Sequence, residues 1–328
     1  MGLSTQRGIR FHLDLYVRLS AQIGVKMNRI IGIDIGTSAI KIAGLTSDGV
    51  LFGTAQGEEV KKDIAVYSSL DGFLTKYGLE YKDISKIILT GVGASYLEED
   101  ICGIPTNKIS EIEAIGCGGL ELTGLKEALV VSMGTGTAFV RASDKGMVHI
   151  GGTGVGGGTL AGLSSILLQE DDLSRITQLA DQGNILNVDL VIKDISKDII
   201  PTLPLDLTAS NFGKLKPAAN REDMALGLFN MVYQVIGMLS VFACRNDSIQ
   251  DVILVGTLAK AAQGKVVFER IGNLFNLNFL FPEEAPYAVA IGAVVAYLKK
   301  QSGRGKCCRD IKAGFSHIGN LDIVKWHP

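Results

Sequence analysis

Asp34 is the first side chain placed for chemistry. It lies near the end of the apolar run Ile30-Ile31-Gly32-Ile33-Asp34-Ile35, directly before the turn Gly36-Thr37-Ser38. A carboxylate there can hold hydrated Mg²⁺ against a ligand's phosphates. It can equally be a turn aspartate that caps the loop. Lys41 follows in the next run and is either a point charge for phosphate or a solvated strand lysine. Farther on, Ser110 and Glu113 have capping-box spacing, which gives Glu113 a structural task at a helix start. Glu111, at the first helical position, points away from Glu113 and is the better candidate general base. Its bland alternative is pairing with the helix dipole.

Glycine turns surround these groups. One is Val131-Ser132-Met133-Gly134-Thr135-Gly136-Thr137, and the next is Gly151-Gly152-Thr153-Gly154-Val155-Gly156-Gly157-Gly158-Thr159. Clustered amides in such turns make anion cradles, and two of them on separate strands suggest a triphosphate held between two sheets. Neither has the Gly-Lys-Ser/Thr ending of a Walker loop or the spacing of a dinucleotide fingerprint. The four histidines, His12, His149, His317 and His327, offer no triad, and no nucleophile elbow accompanies them.

The elements that must position these residues read as two similar halves. Strands are expected at residues 30–35, 39–45 and 50–53, then a helix at 63–77, a strand from Lys86 and a helix from Glu111 toward Leu122. The pattern restarts with strands at 129–133, 137–142 and 147–150 and a helix at 160–168. A long helix at 224–244, a strand at 251–256 and a closing helix at 287–299 follow. This divides the chain into an extension, 1–26, an N-terminal domain, 27–125, a C-terminal domain, 126–300, and a tail, 301–328. Met27 is the expected natural start, and residues 1–26 do not read as a signal peptide. The fold class is α/β, two duplicated actin-like, ribonuclease H-like domains with a nucleotide cleft between them.

Composition excludes several classes. The net charge of −2 over 328 residues disfavours nucleic acid as a partner. Five cysteines, Cys102, Cys117, Cys244, Cys307 and Cys308, form no metal pattern, and their odd number excludes a full disulfide framework. A reducing cytoplasm is the expected location. Residues 224–243 carry no charge yet include Asn230, Gln234 and Ser240, so they read as a buried or dimer-packed helix rather than a membrane span.

From Arg29 to Lys299 the chain resembles the type II, eukaryotic-like pantothenate kinases of the actin-like superfamily. The resemblance rests on Asp34-Ile35-Gly36, Ile40-Lys41-Ile42, Thr90-Gly91-Val92-Gly93, Glu111, Gly134–Thr137, Gly151–Thr159, Asp189-Leu190, residues 206–213 and Val255-Gly256. It implies ATP- and Mg²⁺-dependent phosphorylation of pantothenate, the first step toward coenzyme A, by a homodimer. Coenzyme A or an acyl-coenzyme A is the implied candidate regulator. Glu111 then matches the catalytic glutamate. Asp34, Gly36, Thr37, Ser38 and Lys41 match the first phosphate loop, with Asp34 holding Mg²⁺ through water. Gly134, Thr135, Gly136, Thr137, Gly156, Gly157, Gly158 and Gly256 match the remaining ATP contacts, and His149, Gly151 and Thr153 the substrate side. Two departures stand out. Thr37-Ser38 replaces the usual Gly-Thr, and His149 replaces an arginine that contacts substrate. The second departure leaves two alternatives: a kinase for another alcohol or sugar, or a weakly catalytic sensor of nucleotide or coenzyme A. ADP release across a panel of acceptors separates them.

Overall fold

The computed structural model describes residues 28–57, 62–97, 100–198, 204–245 and 248–302. The extension 1–26, Met27, and the tail from Gly303 with Cys307, Cys308, His317 and His327 lie outside the described residues, as does His12. The described residues up to Gly118, joined by those from Val289, form one compact unit, and Gly119–Ala288 form a second.

The first unit is built on a five-stranded sheet, β3-β2-β1-β4-β5, from β1 Arg29–Ile35, β2 Ile40–Thr46, β3 Leu51–Gly57, β4 Ile84–Thr90 and β5 Thr106–Lys108. β1, β4 and β5 run parallel, while β2 and β3 return antiparallel. β1 is apolar on both faces because helices cover both, the usual condition of a parallel strand. On one face lies α1, Lys62–Tyr77, whose Phe73 packs with Phe52 and Tyr77. Helix α2, Glu111–Thr123, leaves β5.

The second unit repeats the order as β12-β11-β6-β7-β8, from β6 Glu127–Met133, β7 Thr137–Ser143, β8 Gly146–Thr153, β11 Asp251–Val255 and β12 Asn278–Leu280. β6, β11 and β12 are again the parallel strands. Its helices are α3 Gly157–Leu168, α4 Leu173–Ala180, α5 Ile192–Ile195, α6 Arg221–Cys244 and α7 Ala262–Phe275, with a two-stranded ribbon of β9 Leu190–Val191 and β10 Thr208–Ser210. Each unit has its own apolar core.

Four details differ from the sequence reading or extend it. β3 runs to Gly57 and β8 to Thr153, so Gly151 and Gly152 are strand residues paired with Phe139 and Ala138 rather than loop residues. α4 and α7 were not expected. The contact division falls after Gly118, not near residue 125. It also returns the closing helix α8, Ala288–Gln301, to the first unit. Gly32 shows why: a Cβ there would stand 2.1 Å from the Ala290 carbonyl oxygen, so α8 lies directly on β1. The long apolar helix α6 is mostly packed inside its unit. One of its polar residues, Asn230, has a partner in Asp189, which is fully buried. Asn230 Nδ2 donates to Asp189 Oδ2 at 2.7 Å, joined by Thr208 Oγ1 at 3.0 Å and the Phe212 amide at 2.9 Å. Gln234 accepts from Asn211 at 3.5 Å. The polar stripe seen in the sequence thus surrounds a buried carboxylate.

Candidate active site

In the first unit one cross-strand row gathers Asp34 and Lys41. Gln56, Lys41, Asp34 and Thr90 are successive register partners across β3, β2, β1 and β4. Register partners share a sheet face, so these four polar side chains form one row across the sheet. It lies at the carboxyl end of the parallel strands, where α/β sheets commonly place ligands. Asp34 is buried at 8% exposure. Burial is the largest influence on its carboxyl and moves the pKa from 3.8 to about 6; Lys41 opposes this and the nearby Glu111 carboxylate adds to it.

Glu111 reaches this row through β5. The Ile109 amide donates to Leu89 O at 2.9 Å, which extends the β4–β5 pairing to the mouth of α2. Ser110 Oγ then accepts the Glu113 amide at 3.3 Å, as a helix cap. The Glu113 carboxylate pairs with Lys300 at 2.7 Å, so its side chain is tied to α8. Glu111 is half-buried, and burial raises its pKa. The Glu113 carboxylate therefore does not complete the capping box, while the Glu111 carboxylate lies near enough to Asp34 to raise its pKa. Thr37 and Ser38 sit exposed in the β1–β2 turn, which closes with the Gly36 amide donating to Ala39 O at 3.2 Å.

In the second unit the two glycine turns form one knot. The Gly157 amide donates to Gly134 O at 2.8 Å and the Gly158 amide to Thr135 O at 2.9 Å, while Gly134 N donates to Gly136 O at 2.9 Å. Thr137 Oγ1 donates to Val155 O at 2.8 Å. A Cβ at Gly156 would stand 2.7 Å from Thr135 O, so only glycine permits this contact. The first amides of α3 thus hold the Gly134–Gly136 turn in shape. Gly256 follows β11 with φ of 93°. Its absent Cβ would stand 2.4 Å from Met133 O, so it backs the same turn from the other side.

β8 places the three expected substrate residues on different faces. Val140 pairs with His149 and Phe139 with Gly151, so Ile150 is a bulge. Simple alternation puts His149, Gly151 and Thr153 together, but the bulge moves His149 to the face of Val140, Ala138 and Gly152. Gly151 and Thr153 share the face of Phe139 and Thr137. His149 is exposed, and Thr153 Oγ1 accepts the Val155 amide at 3.1 Å.

The Fumble family model matches residues 127–295. The chain belongs to the Fumble family. This Fumble protein is 26% identical over 280 residues to the type II pantothenate kinase of Staphylococcus aureus strain USA300, covering 82% of this chain and 99% of that protein. It is 32% identical over 171 residues to the type II pantothenate kinase of Oceanobacillus iheyensis, a match covering 51% of this chain and 64% of that protein. Among solved structures, the activator of 2-hydroxyisocaproyl-CoA dehydratase from Clostridium difficile with bound ADPNP superposes with a TM-score of 0.59 at 17% identity, covering 84% of this chain and 96% of that one. A ROK family protein from Streptococcus pneumoniae TIGR4 in complex with sucrose superposes with a TM-score of 0.52 at 14% identity, covering 84% and 100%. The Fumble chain therefore has the actin-like α/β fold, with its five-stranded mixed sheet present twice.

Its residues fit a hydrated divalent cation better than a caged one. Among the described residues no three His, Cys, Asp or Glu side chains gather into a metal cluster. The Glu111 carboxylate instead adds to the raised proton affinity of Asp34, a tension that a hard cation with its own waters would relieve.

Proposed function

We propose that this Fumble protein is an ATP-dependent pantothenate kinase that forms 4′-phosphopantothenate. The observation that carries the proposal is the buried Asp34 carboxylate, flanked by Lys41 and Glu111 at the carboxyl end of β1 and β4. Its kinase relatives in the same family support the choice of acceptor.

Glu111 orients the primary hydroxyl of the acceptor and takes its proton, a task suited to a carboxylate whose pKa burial has raised. The oxygen–phosphorus bond forms as the bond from the γ-phosphorus to the ADP oxygen breaks, and ADP leaves with that electron pair. Lys41 supplies fixed positive charge for the phosphates. The Gly134–Thr137 turn, braced by Gly156–Gly158 and Gly256, offers rigid backbone dipoles suited to phosphate charge. Asp34 would hold a hydrated Mg²⁺, which would supply positive charge for the phosphate oxygens. The protein is proposed to work in the cytoplasm as a homodimer, with coenzyme A or an acyl-coenzyme A as regulator.

His149 favours a second reading, in which the acceptor is a different alcohol. An imidazole at this position gives one hydrogen bond where an arginine gives a charged fork. The test is ADP release with MgATP and a panel of pantothenate, pantoyl compounds and sugars. Pantothenate as the best acceptor supports the proposal, and a His149→Arg variant should then raise its kcat/KM. A sugar as the best acceptor rejects pantothenate but keeps the kinase. Tight ATP binding without ADP from any acceptor rejects the kinase and leaves a sensor.

A further inference from the structure

Thr90 belongs to the polar row but, like the exposed Gln56, has no task in the mechanism above. It is fully buried, and its hydroxyl has no hydrogen-bond partner. Its strand register places it beside Asp34. The Asp34 carboxylate leans toward the next residue: a Cβ at Gly91 would stand 2.6 Å from Asp34 Oδ1. A buried hydroxyl without a partner is a desolvation cost with no return in this state.

The second unit shows that the fold does not need that hydroxyl. There Val255 occupies the corresponding place, paired with Ser132 as Thr90 is paired with Asp34. Both residues are fully buried, and both precede a glycine of positive φ, 86° at Gly91 and 93° at Gly256. Valine and threonine have nearly the same shape, so packing alone would be met by valine. The hydroxyl stands only where a carboxylate is its neighbour.

We infer that Thr90 is a positioning residue for phosphoryl transfer: its hydroxyl donates to the Asp34 carboxylate when nucleotide and its cation are bound, fixing the oxygen turned away from the ligand. The inference rests on the kinase reading for its reaction, but the Thr90–Asp34 contact can be tested by binding alone.

The test compares the full-length wild type with Thr90→Val and Thr90→Ser. Three quantities are read: the thermal midpoint without ligand, the calorimetric affinity for ATP with and without Mg²⁺, and kcat and KM for ATP with pantothenate. Thr90→Val should unfold at the same or a higher temperature, since it removes an orphan hydroxyl. Its affinity for ATP with Mg²⁺ should fall about tenfold or more, the scale of a lost hydrogen bond to a charged group. ATP without Mg²⁺ should bind within about twofold of wild type, and Thr90→Ser should recover most of the loss. Thr90→Val that binds and turns over like wild type would overturn the inference, as would Thr90→Ser as impaired as Thr90→Val. If wild type binds ATP with Mg²⁺ but phosphorylates no acceptor, the kinase reading falls and the affinities still decide Thr90. If wild type binds no nucleotide, both fall.

Discussion

The two units share a strand order but fill it with different chemistry. Across the first sheet the row is Gln56, Lys41, Asp34 and Thr90; across the second it is Gly152, Ala138, Ser132 and Val255. Gly91 and Gly256 end the corresponding parallel strands with nearly the same backbone, φ 86° and ψ 164° against φ 93° and ψ 177°. The topology thus supplies the same ledge twice. One unit arms it with charged side chains, and the other strips it to backbone and small residues. A phosphoryl-transfer enzyme needs both kinds of surface: charge to handle the proton and the cation, and close backbone dipoles for the phosphates.

Removing the charge of the first unit should have the largest effect. Glu111→Gln is expected to lower turnover by about 10²–10⁴-fold, the usual contribution of general acid–base catalysis, while ATP still binds by calorimetry. Unchanged turnover would remove Glu111 from the mechanism.

Asp34→Asn should separate activity from stability. The folded pKa of Asp34, about 6, lies above the ordinary 3.8. Below the ordinary value the carboxyl is protonated whether the chain is folded or unfolded, and its neutral form sits in the buried site without penalty. Between 3.8 and about 6 the unfolded chain ionises while the folded carboxyl stays protonated, so stability falls, and by pH 8 the buried charge costs the full amount, about 3 kcal/mol. Without ligand, Asp34→Asn should therefore melt higher than wild type at pH 8 and near it at pH 4, while losing activity with MgATP. A variant that melts lower at pH 8 would contradict the assigned burial.

The shared glycine ledge gives the next effect. Gly91→Ala and Gly256→Ala should each lower stability by about 1–3 kcal/mol in urea denaturation, because both force a side chain into positive φ. A Cβ at either position also meets a carbonyl oxygen, Ile35 O at 2.7 Å or Met133 O at 2.4 Å. If only one of them is costly, the equivalence of the two ledges fails.

Ser132→Asp copies the charge of the first row into the second. It should weaken ATP binding about tenfold by repelling the phosphates, at a half-buried position. No change in affinity would mean that the second row does not face the nucleotide's charge. The smallest effect belongs to Glu113→Gln, which breaks a partly exposed pair with Lys300. It should cost less than about 1 kcal/mol and leave turnover within about twofold. A loss comparable to that of Glu111→Gln would exchange the roles of the two glutamates.

Much of this contrast was legible before the fold was known. The isoleucine-rich run before Asp34, the valine-rich run before Gly134 and the Ser110–Glu113 cap are local signals, and each element they imply is present. What escaped depended on partners distant in sequence. That Thr90 lies beside Asp34 is a fact of parallel register between β1 and β4. The bulge at Ile150 follows from the pairing of β8 with β7, and it separates His149 from Gly151. Helix α7 hid behind Gly264 and Gly272, which weaken helix propensity but fit beneath the Tyr233 ring and the Leu277 carbonyl. Helix α4 did carry a local signal, Asp172 accepting the Ser174 amide at 2.8 Å, in a segment too short for its periodicity to show.

The most direct test is a single turnover of the full chain with MgATP and pantothenate, with the products weighed by mass spectrometry. One phosphopantothenate per ATP consumed is expected, and Glu111→Gln should bind ATP but form product about 10²–10⁴-fold more slowly. ATP consumed without phosphopantothenate would contradict the proposed acceptor, and product formed as fast in Glu111→Gln would contradict the role of Glu111.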